Sequence, residues 1–347
     1  MAAYTTINNP ELYYQNKVYS GNGTAIGSGG LAVTFDGEED MQPDFVWLKR
    51  RQDSGYHHNS YDSVRGATKI AYVNLAGDMG TKTEGLTAFN SNGFTLGNDG
   101  DSNASGKAHV AWCWKETATA GFDIVSFTGN STARTISHSL SAVPNMIIVK
   151  NIDEAENWCV YHTSIANTKA LILNTNTAEL TDSKFWNDTS ATSSVFTVGN
   201  GTEVNGSSDE MIAYCFAEKQ GFSKFGSYVG NGSADGPFIF LGFRPAWVLT
   251  KRTDSTGNWN LFDNRRTGST ANLTLGKANP MELLLHPDLD NAEVNVSSGG
   301  HTIDGLATGF KIRSSSAISN ASGGTYIYAC FAETPLVNSN GVPCNAM

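Results

Sequence analysis

Residues 43–49 read Pro-Asp-Phe-Val-Trp-Leu-Lys, residues 144–150 read Pro-Asn-Met-Ile-Ile-Val-Lys, and residues 245–251 read Pro-Ala-Trp-Val-Leu-Thr-Lys. The three prolines, like the three lysines, are spaced 101 residues apart (144 − 43 and 245 − 144). A recurrence of about 100 residues is too long for a solenoid unit and matches the size of a small domain. The pattern therefore predicts three copies of one domain.

Other landmarks recur in the same order in each copy. A strand that begins with Phe is followed by a polar turn that begins with Asn, and then by an apolar strand that contains one Cys and ends at Glu. These cysteines are Cys113, Cys215 and Cys330, separated by 102 and 115 residues. The third copy therefore has thirteen extra residues (115 − 102), which we expect within residues 280–300.

The repeats divide the chain into five segments. The junctions between copies are short, so we expect a string of domains that pack on one another. The predicted segments are an N-terminal arm (1–10), a first repeat (11–118), a second repeat (119–219), a third repeat (220–335) and a C-terminal tail (336–347).

The composition is typical of an all-β protein. The chain has 36 Gly and 10% aromatic residues, and only 16% of its residues are charged, which is below the usual quarter or so. The apolar runs inside the three quoted segments predict strands that are covered on both faces. Turn signals at intervals of about 8–12 residues favour two-sheet sandwiches. We therefore predict three tandem β-sandwich repeats, jelly-roll-like or lectin-like, of about 100–115 residues.

The charge and the cysteines exclude several classes of protein. The net charge is −10 and there is no run of Lys or Arg, which argues against a nucleic-acid partner. No apolar stretch approaches the roughly 18 residues of a membrane span, and the N-terminus does not resemble a signal peptide. We expect no membrane insertion and synthesis in a cytoplasm. Five cysteines at separated positions predict free thiols.

Three longer stretches carry a resemblance to a known family. They are Gly121 to Asn130, Val204 to Glu218 and Phe243 to Trp259. They resemble a tandem repeat family common in bacteriophage genomes, with many members in viruses of marine bacteria and cyanobacteria. The resemblance implies a virion structural protein, of the kind described as a tail fibre or tail-associated protein. It transfers no catalytic residues.

From this resemblance we expect a non-enzymatic, tail-associated fibre or adhesin that attaches the virion to the host surface. The expected partners are other virion proteins, further copies of the chain and a host surface glycan, with no cofactor. Residues 1–20, which are mostly polar, would form an arm that docks on a virion partner. The alternatives are a capsid decoration or head-fibre protein and, third, a polysaccharide depolymerase.

Aromatic residues near turns are the candidates for sugar binding, because aromatic faces pack on the C–H surfaces of sugars. The candidate residues are Trp158, Tyr161, Trp186, Asn258 and Trp259. The alternative is that each Trp fills the core of its own sandwich.

Three other groups invite a chemical interpretation. Residues 98–103 have the oxygen density of a calcium loop but lack the downstream Glu of an EF-hand, so a hairpin turn is favoured. His57, His58 and His162 do not supply the convergent ligands of a zinc site. Asp153, Glu154 and Glu156 could form the carboxylate pair of a glycosidase, but they lie in one polar turn. We predict no metal site and no catalytic residue.

Overall fold

The computed structural model describes residues 4–77, 79–266, 279–296 and 302–344. Its described residues form antiparallel β-sheets with a few one-turn helices, which confirms the all-β sandwich prediction. Each of the three largest sheets is built from strands of a single repeat.

The first repeat contains a six-stranded sheet in the order β1-β9-β3-β4-β5-β6 and a three-stranded sheet in the order β2-β8-β7. The elements are β1 (Tyr14–Ser20), β2 (Leu31–Val33), β3 (Phe45–Arg50), β4 (His58–Asp62), β5 (Lys69–Tyr72), β6 (Gly80–Thr81), β7 (Leu86–Asn90), β8 (Gly93–Leu96), α1 (Gly100–Asn103) and β9 (Ala108–Trp114). Short 3-10 turns occupy Pro10–Leu12 and Ile26–Ser28.

The second repeat has a six-stranded sheet in the order β10-β17-β12-β13-β14-β15 and the pair β11-β16. The elements are β10 (Phe122–Thr128), β11 (Arg134–Ser137), β12 (Met146–Asn151), β13 (Cys159–His162), β14 (Lys169–Ile172), β15 (Leu180–Thr181), α2 (Ser183–Trp186), β16 (Val195–Val198), α3 (Thr202–Asn205) and β17 (Glu210–Phe216).

The third repeat has sheets in the orders β18-β26-β20-β21 and β19-β25-β24, and the pair β22-β23. The elements are β18 (Ser223–Val229), β19 (Phe238–Phe240), β20 (Phe243–Arg252), β21 (Asn260–Asp263), β22 (Leu283–Leu284), β23 (Val294–Asn295), β24 (Thr302–Leu306), β25 (Gly309–Arg313), α4 (Ala317–Asn320) and β26 (Thr325–Pro335).

The strands quoted at the outset are buried on both faces, as their continuous apolar runs predict. In β3, Val46 and Leu48 point into the core of the first sandwich. Phe45 and Trp47, on the opposite face, belong to a separate core that also contains Trp247 of the third repeat. Because side chains alternate along a strand, one strand can serve both cores.

This separate core, which we call the common core, receives side chains from all three repeats. Trp114, Phe216 and Phe331, from the closing strands of the three repeats, meet there, with ring centroids 5.5–6.3 Å apart. The repeats therefore surround one shared aromatic centre, and each retains its own sandwich core on the outer side. This arrangement is more compact than a linear string.

A buried asparagine braces the same turn in each repeat. The side-chain amides of Asn103, Asn205 and Asn320 donate to the carbonyls of Gly97, Gly199 and Ser314, at 2.7, 2.8 and 2.6 Å. All three side chains are fully buried. The recurring Asn in the sequence is therefore a structural residue, because a buried amide must find partners.

The extra residues of the third repeat lie earlier than the sequence suggested. Val160 pairs with Leu171, and Leu261 forms the corresponding bridge with Leu285. The register of β22 with β23 then matches that of β14 with β15. The insertion therefore precedes β22, between residues 263 and 283, and the expected position within 280–300 was wrong. Much of it lies outside the described residues.

The N-terminal segment packs on the third repeat. The Tyr4 hydroxyl donates to the Gly242 carbonyl at 2.7 Å, and Ile7 is buried in the common core. The main chain then enters β1. From residue 4 onward this segment belongs to the body, which differs from the free docking arm expected from its polar composition.

Candidate functional site at the contacts between repeats

Each repeat contacts the other two, and corresponding residues make the contacts. We call these the 1/2, 2/3 and 3/1 contacts. In the first, the Trp158 indole Nε1 donates to the Tyr72 carbonyl at 3.0 Å. In the second, Trp259 Nε1 donates to the Ile172 carbonyl at 2.9 Å. These pairs occupy the same positions in consecutive repeats. Because the equivalent residues Trp114, Phe216 and Phe331 also meet at similar distances, the repeats are related by an approximate threefold rotation.

His58 takes the place of the tryptophan at the 3/1 contact. It is fully buried and its ring stacks on Trp112. Burial lowers the pKa of His58 well below its ordinary value, the charges of Lys49 and Arg266 lower it further, and a hydrogen bond with the backbone of His286 opposes them. A neutral imidazole therefore replaces the indole at this position.

A second set of contacts involves the last residue of β4, β13 and β21, which is Asp62, His162 or Asp263. The Tyr214 hydroxyl donates to Asp62 at 2.8 Å in the 1/2 contact, and the Trp112 indole donates to Asp263 at 3.0 Å in the 3/1 contact. At the 2/3 contact the corresponding residue is His162, whose Nε2 lies 3.2 Å from the Tyr328 carbonyl oxygen. Burial lowers the pKa of His162 to about 4.

The 1/2 and 2/3 contacts each contain a cavity, at corresponding positions. The 1/2 cleft, with a volume of about 250 Å³, is lined by Arg65, Lys69, Ile152 and Glu210 among others. The 2/3 cleft, of about 230 Å³, contains the corresponding residues Ile165, Lys169, Thr253 and Thr325. Cavities at contacts between domains are frequent ligand sites, so these clefts are the candidate functional sites.

At the 3/1 contact the corresponding space is filled by ionic side chains. Glu293 lies 2.8 Å from the Arg51 guanidinium and 3.2 Å from that of Arg266, and all three side chains are fully buried. Glu293 corresponds to Glu179 of the 2/3 cleft, since its backbone N–H donates to Arg51 as that of Glu179 donates to Thr253. At the position of the two clefts, the third contact is therefore closed by a salt-bridge network.

The lysine of each quoted segment is also buried. Lys150 donates to the carbonyls of Ala76 and Glu156 at 2.8 and 2.7 Å, and so connects the first two repeats. Lys49 and Lys251 donate to the carbonyls of Arg50 and Arg252. Burial lowers the pKa of all three lysines to about 8. At neutral pH they are buried cations held by backbone carbonyls.

The residues predicted to bind sugar lie mostly inside the protein. Trp158 and Trp259 are 1% exposed and belong to the common core, not to the core of their own sandwich. Trp186 and Tyr161 pack in the core of the second sandwich. Asn258, next to Trp259, is half-buried. Four of the five side chains therefore offer no exposed face for stacking on a sugar.

The other chemical candidates are also engaged in structure. Lys82 pairs with Asp99 and Asp101 of the acidic 98–103 turn. Asp153 accepts from the Glu210 N–H at 2.6 Å, and Glu156 accepts from the Thr202 hydroxyl at 2.8 Å. Within the described ranges, no three His, Cys, Asp or Glu side chains cluster as a metal site would require. All five cysteines are free thiols, and only Cys344 is exposed.

Two carboxyl groups have pKa values near neutrality. Burial raises the pKa of Glu116 to about 7, with a further contribution from Asp123. Burial also raises the pKa of Asp288 to about 6. Each already accepts a backbone hydrogen bond, Glu116 from Ile124 and Asp288 from Trp259. Glu116 can therefore hold a proton near pH 7 and Asp288 near pH 6, and neither residue lines either cleft.

Sequence reasoning missed the cleft residues, including Lys169, Glu179 and Thr253, and the network of Arg51 with Glu293. A signal was present in the sequence. With the insertion placed before residue 283, Glu179 and Glu293 fall into register, and so do Arg51 and Thr253. The residue types at these positions differ among the repeats, so recurrence alone does not reveal them.

No helix in the described part of the chain combines the length and apolarity that crossing a bilayer would require. No curated protein matches the sequence. One family profile, described as a domain of unknown function (DUF7483), matches residues 9–335 and so extends across all three repeats. The chain belongs to this family, the domain of unknown function DUF7483.

Proposed function

We propose that the protein is a non-enzymatic structural component of a bacteriophage virion, tail-associated, that contributes to attachment on the host surface. The virion setting rests on the sequence resemblance of residues 121–130, 204–218 and 243–259 to phage repeat proteins. The observation that supports the structural role is the arrangement of three repeats around one core.

This arrangement suits a body that must remain rigid on a particle. Buried groups that could otherwise do chemistry, such as Lys150 and His162, are used to join one repeat to the next. A protein with three contacts among its repeats also presents its two clefts at fixed positions. Many copies on a virion would then raise the avidity of weak sites without any new contact.

The approximate threefold rotation favours one alternative, a capsid decoration protein. Icosahedral shells contain threefold axes, and symmetric assemblies match like symmetry at their interfaces. In that role the outer sandwich surfaces would contact neighbouring capsid subunits.

Gold-labelled antibody against this chain, applied to intact virions of the phage that encodes it, separates these roles in electron micrographs. The proposal expects label at the tail. Label distributed over the head would support the decoration role in its place. Particles without label, from a preparation in which the antibody detects the chain in infected cells, would contradict both.

A further inference from the structure

The 2/3 cleft differs from the other contacts in its chemical character. The exposed residues Ser164 and Ser227 line it, together with the apolar side chains of Ile165 and Val229. Val229, the last residue of β18, is 60% exposed. A surface that mixes hydroxyls with exposed aliphatic groups suits a ligand that has both polar and C–H faces.

An ion pair provides donors and acceptors at one side of this cleft. Lys169 and Glu179 form a salt bridge there, with 33% and 22% of their side chains exposed. The Glu179 backbone N–H donates to the Thr253 carbonyl at 2.9 Å, which fixes the acid against the third repeat. The ammonium group can donate to a ligand hydroxyl and the carboxylate can accept from one.

The charges in the cleft argue for a neutral ligand. Lys169 and Glu179 are the two charged residues of the lining and cancel each other. An anionic ligand would meet Glu179 and the overall charge of −10, and a cationic ligand would meet Lys169. The lining of the 1/2 cleft also has no net charge, but it carries four charged residues, Arg65, Lys69, Asp153 and Glu210.

We propose that the cleft between the second and third repeats binds a neutral saccharide, with Lys169 and Glu179 contacting ring hydroxyls and Ile165 and Val229 packing against a C–H face. The volume of about 230 Å³ suits a sugar ring and lies a little below the usual range of small-molecule sites, about 300–1,000 Å³. This inference rests on the proposed role in host attachment.

The test compares the full-length protein with two tryptophan variants. Ser227→Trp fills the cleft. Ser126→Trp places the same side chain at the corresponding exposed position of β10, outside the linings of both clefts. The probes are purified surface polysaccharide of the host bacterium and the methyl glycosides of glucose, galactose, mannose and N-acetylglucosamine, measured by biolayer interferometry and saturation-transfer NMR.

The expected result is binding by the wild type, roughly tenfold or greater weakening by Ser227→Trp, and unchanged binding by Ser126→Trp. Glu179→Gln keeps the shape of the cleft and removes the charged acceptor, so it should weaken binding roughly tenfold as well. Circular dichroism of each variant verifies folding, and Glu179→Gln keeps the test available should Ser227→Trp misfold.

Binding that none of the cleft variants weakens would place the sugar site elsewhere and overturn the inference, while leaving attachment intact. A wild type that binds none of the probes would also overturn it. The virion proposal is judged separately by the position of the gold label, so a protein on the tail that binds no saccharide would refute this inference alone.

Discussion

Glu179 and Glu293 occupy the same position in consecutive repeats and have different surroundings. Each donates its backbone N–H to the next repeat, Glu179 to Thr253 and Glu293 to Arg51. Glu179 has Lys169 as its partner and borders an open cleft. Glu293 is fully buried between Arg51 and Arg266. A shared backbone frame can therefore carry either a cleft or a closed ionic contact, depending on its neighbours.

The neighbours explain the difference in physical terms. Thr253 and Ile165 of the 2/3 cleft correspond to Arg51 and Arg266 of the 3/1 contact. Two long guanidinium side chains fill the space that a threonine and an isoleucine leave open. Their charges need compensation when buried, which Glu293 provides. The 3/1 contact joins the first and third repeats, which are not consecutive in sequence. It therefore closes the arrangement, so that each repeat contacts the other two.

The largest effect should follow from Glu293→Ala. Removing this carboxylate leaves Arg51 without its ionic partner in a buried site, and breaking a buried ion pair in this way costs about 3–5 kcal/mol. Urea unfolding followed by tryptophan fluorescence measures the loss. A change below about 1 kcal/mol, the range of surface pairs, would show that Glu293 is solvated and that the 3/1 contact is open.

The next effect concerns the tryptophans that connect consecutive repeats. Trp259→Phe keeps an aromatic ring but leaves the Ile172 carbonyl without its donor, so we expect a loss of about 2–3 kcal/mol. Trp158→Phe is the matched variant at the 1/2 contact and should cost a similar amount. Clearly unequal losses in the same unfolding assay would argue against equivalence of the two contacts.

The three buried lysines predict a pH dependence. The pKa of Lys150 is about 8 in the folded protein and close to its ordinary 10.5 when unfolded. Between these values the unfolded chain binds more protons, so the contribution of Lys150 to folding becomes more favourable as pH rises, by at most about 1.4 kcal/mol per pH unit.

The measurement is the difference in unfolding free energy between wild type and Lys150→Met from pH 7 to 9.5. Taking the difference removes the contributions of buried cysteines and tyrosines, which are common to both proteins. Above pH 8 the unfolding free energy of the wild type should rise relative to that of the Lys150→Met variant. Lys49→Met and Lys251→Met should behave in the same way, and a flat difference in all three would refute the lowered pKa values.

The smallest effect should come from Glu179→Ala, the counterpart of Glu293→Ala. Because Glu179 and Lys169 are partly exposed, we expect a loss below about 1 kcal/mol. A loss as large as that of Glu293→Ala would show that the 2/3 contact depends on its ion pair and would remove the contrast between the two positions.

The sequence predicts part of this structure well. The recurring Pro and Lys around residues 43–49 locate the central strands, and the apolar runs predict their burial on both faces. The common core could not be predicted. The apolar run of β3 indicates that both of its faces are covered, but it does not indicate that the other repeats cover one of them. Trp158 and Trp259 were considered for sugar binding because position after a turn suggests exposure, whereas a neighbouring repeat covers them.

The clefts depend on differences between repeats. Recurrence identifies residues that every copy needs, such as Asn103, Asn205 and Asn320. A site confined to one contact is built from residues that the copies do not share, as Ile165 and Arg266 illustrate at corresponding positions after β13 and β21. The strand register shows which residues of the three repeats correspond, and it also places the insertion before β22.

The most direct test of the closed arrangement is a disulfide across the 3/1 contact. Ser54 Oγ accepts from the Ala292 N–H at 3.2 Å, although the residues are far apart in sequence. Ser54→Cys with Ala292→Cys, in a background where exposed Cys344 is Ser, should oxidise to an intramolecular disulfide and migrate faster on a non-reducing gel, whereas neither single variant should. Thiols that stay free under oxidation in a folded protein would contradict the closed arrangement and leave the repeats as a linear string.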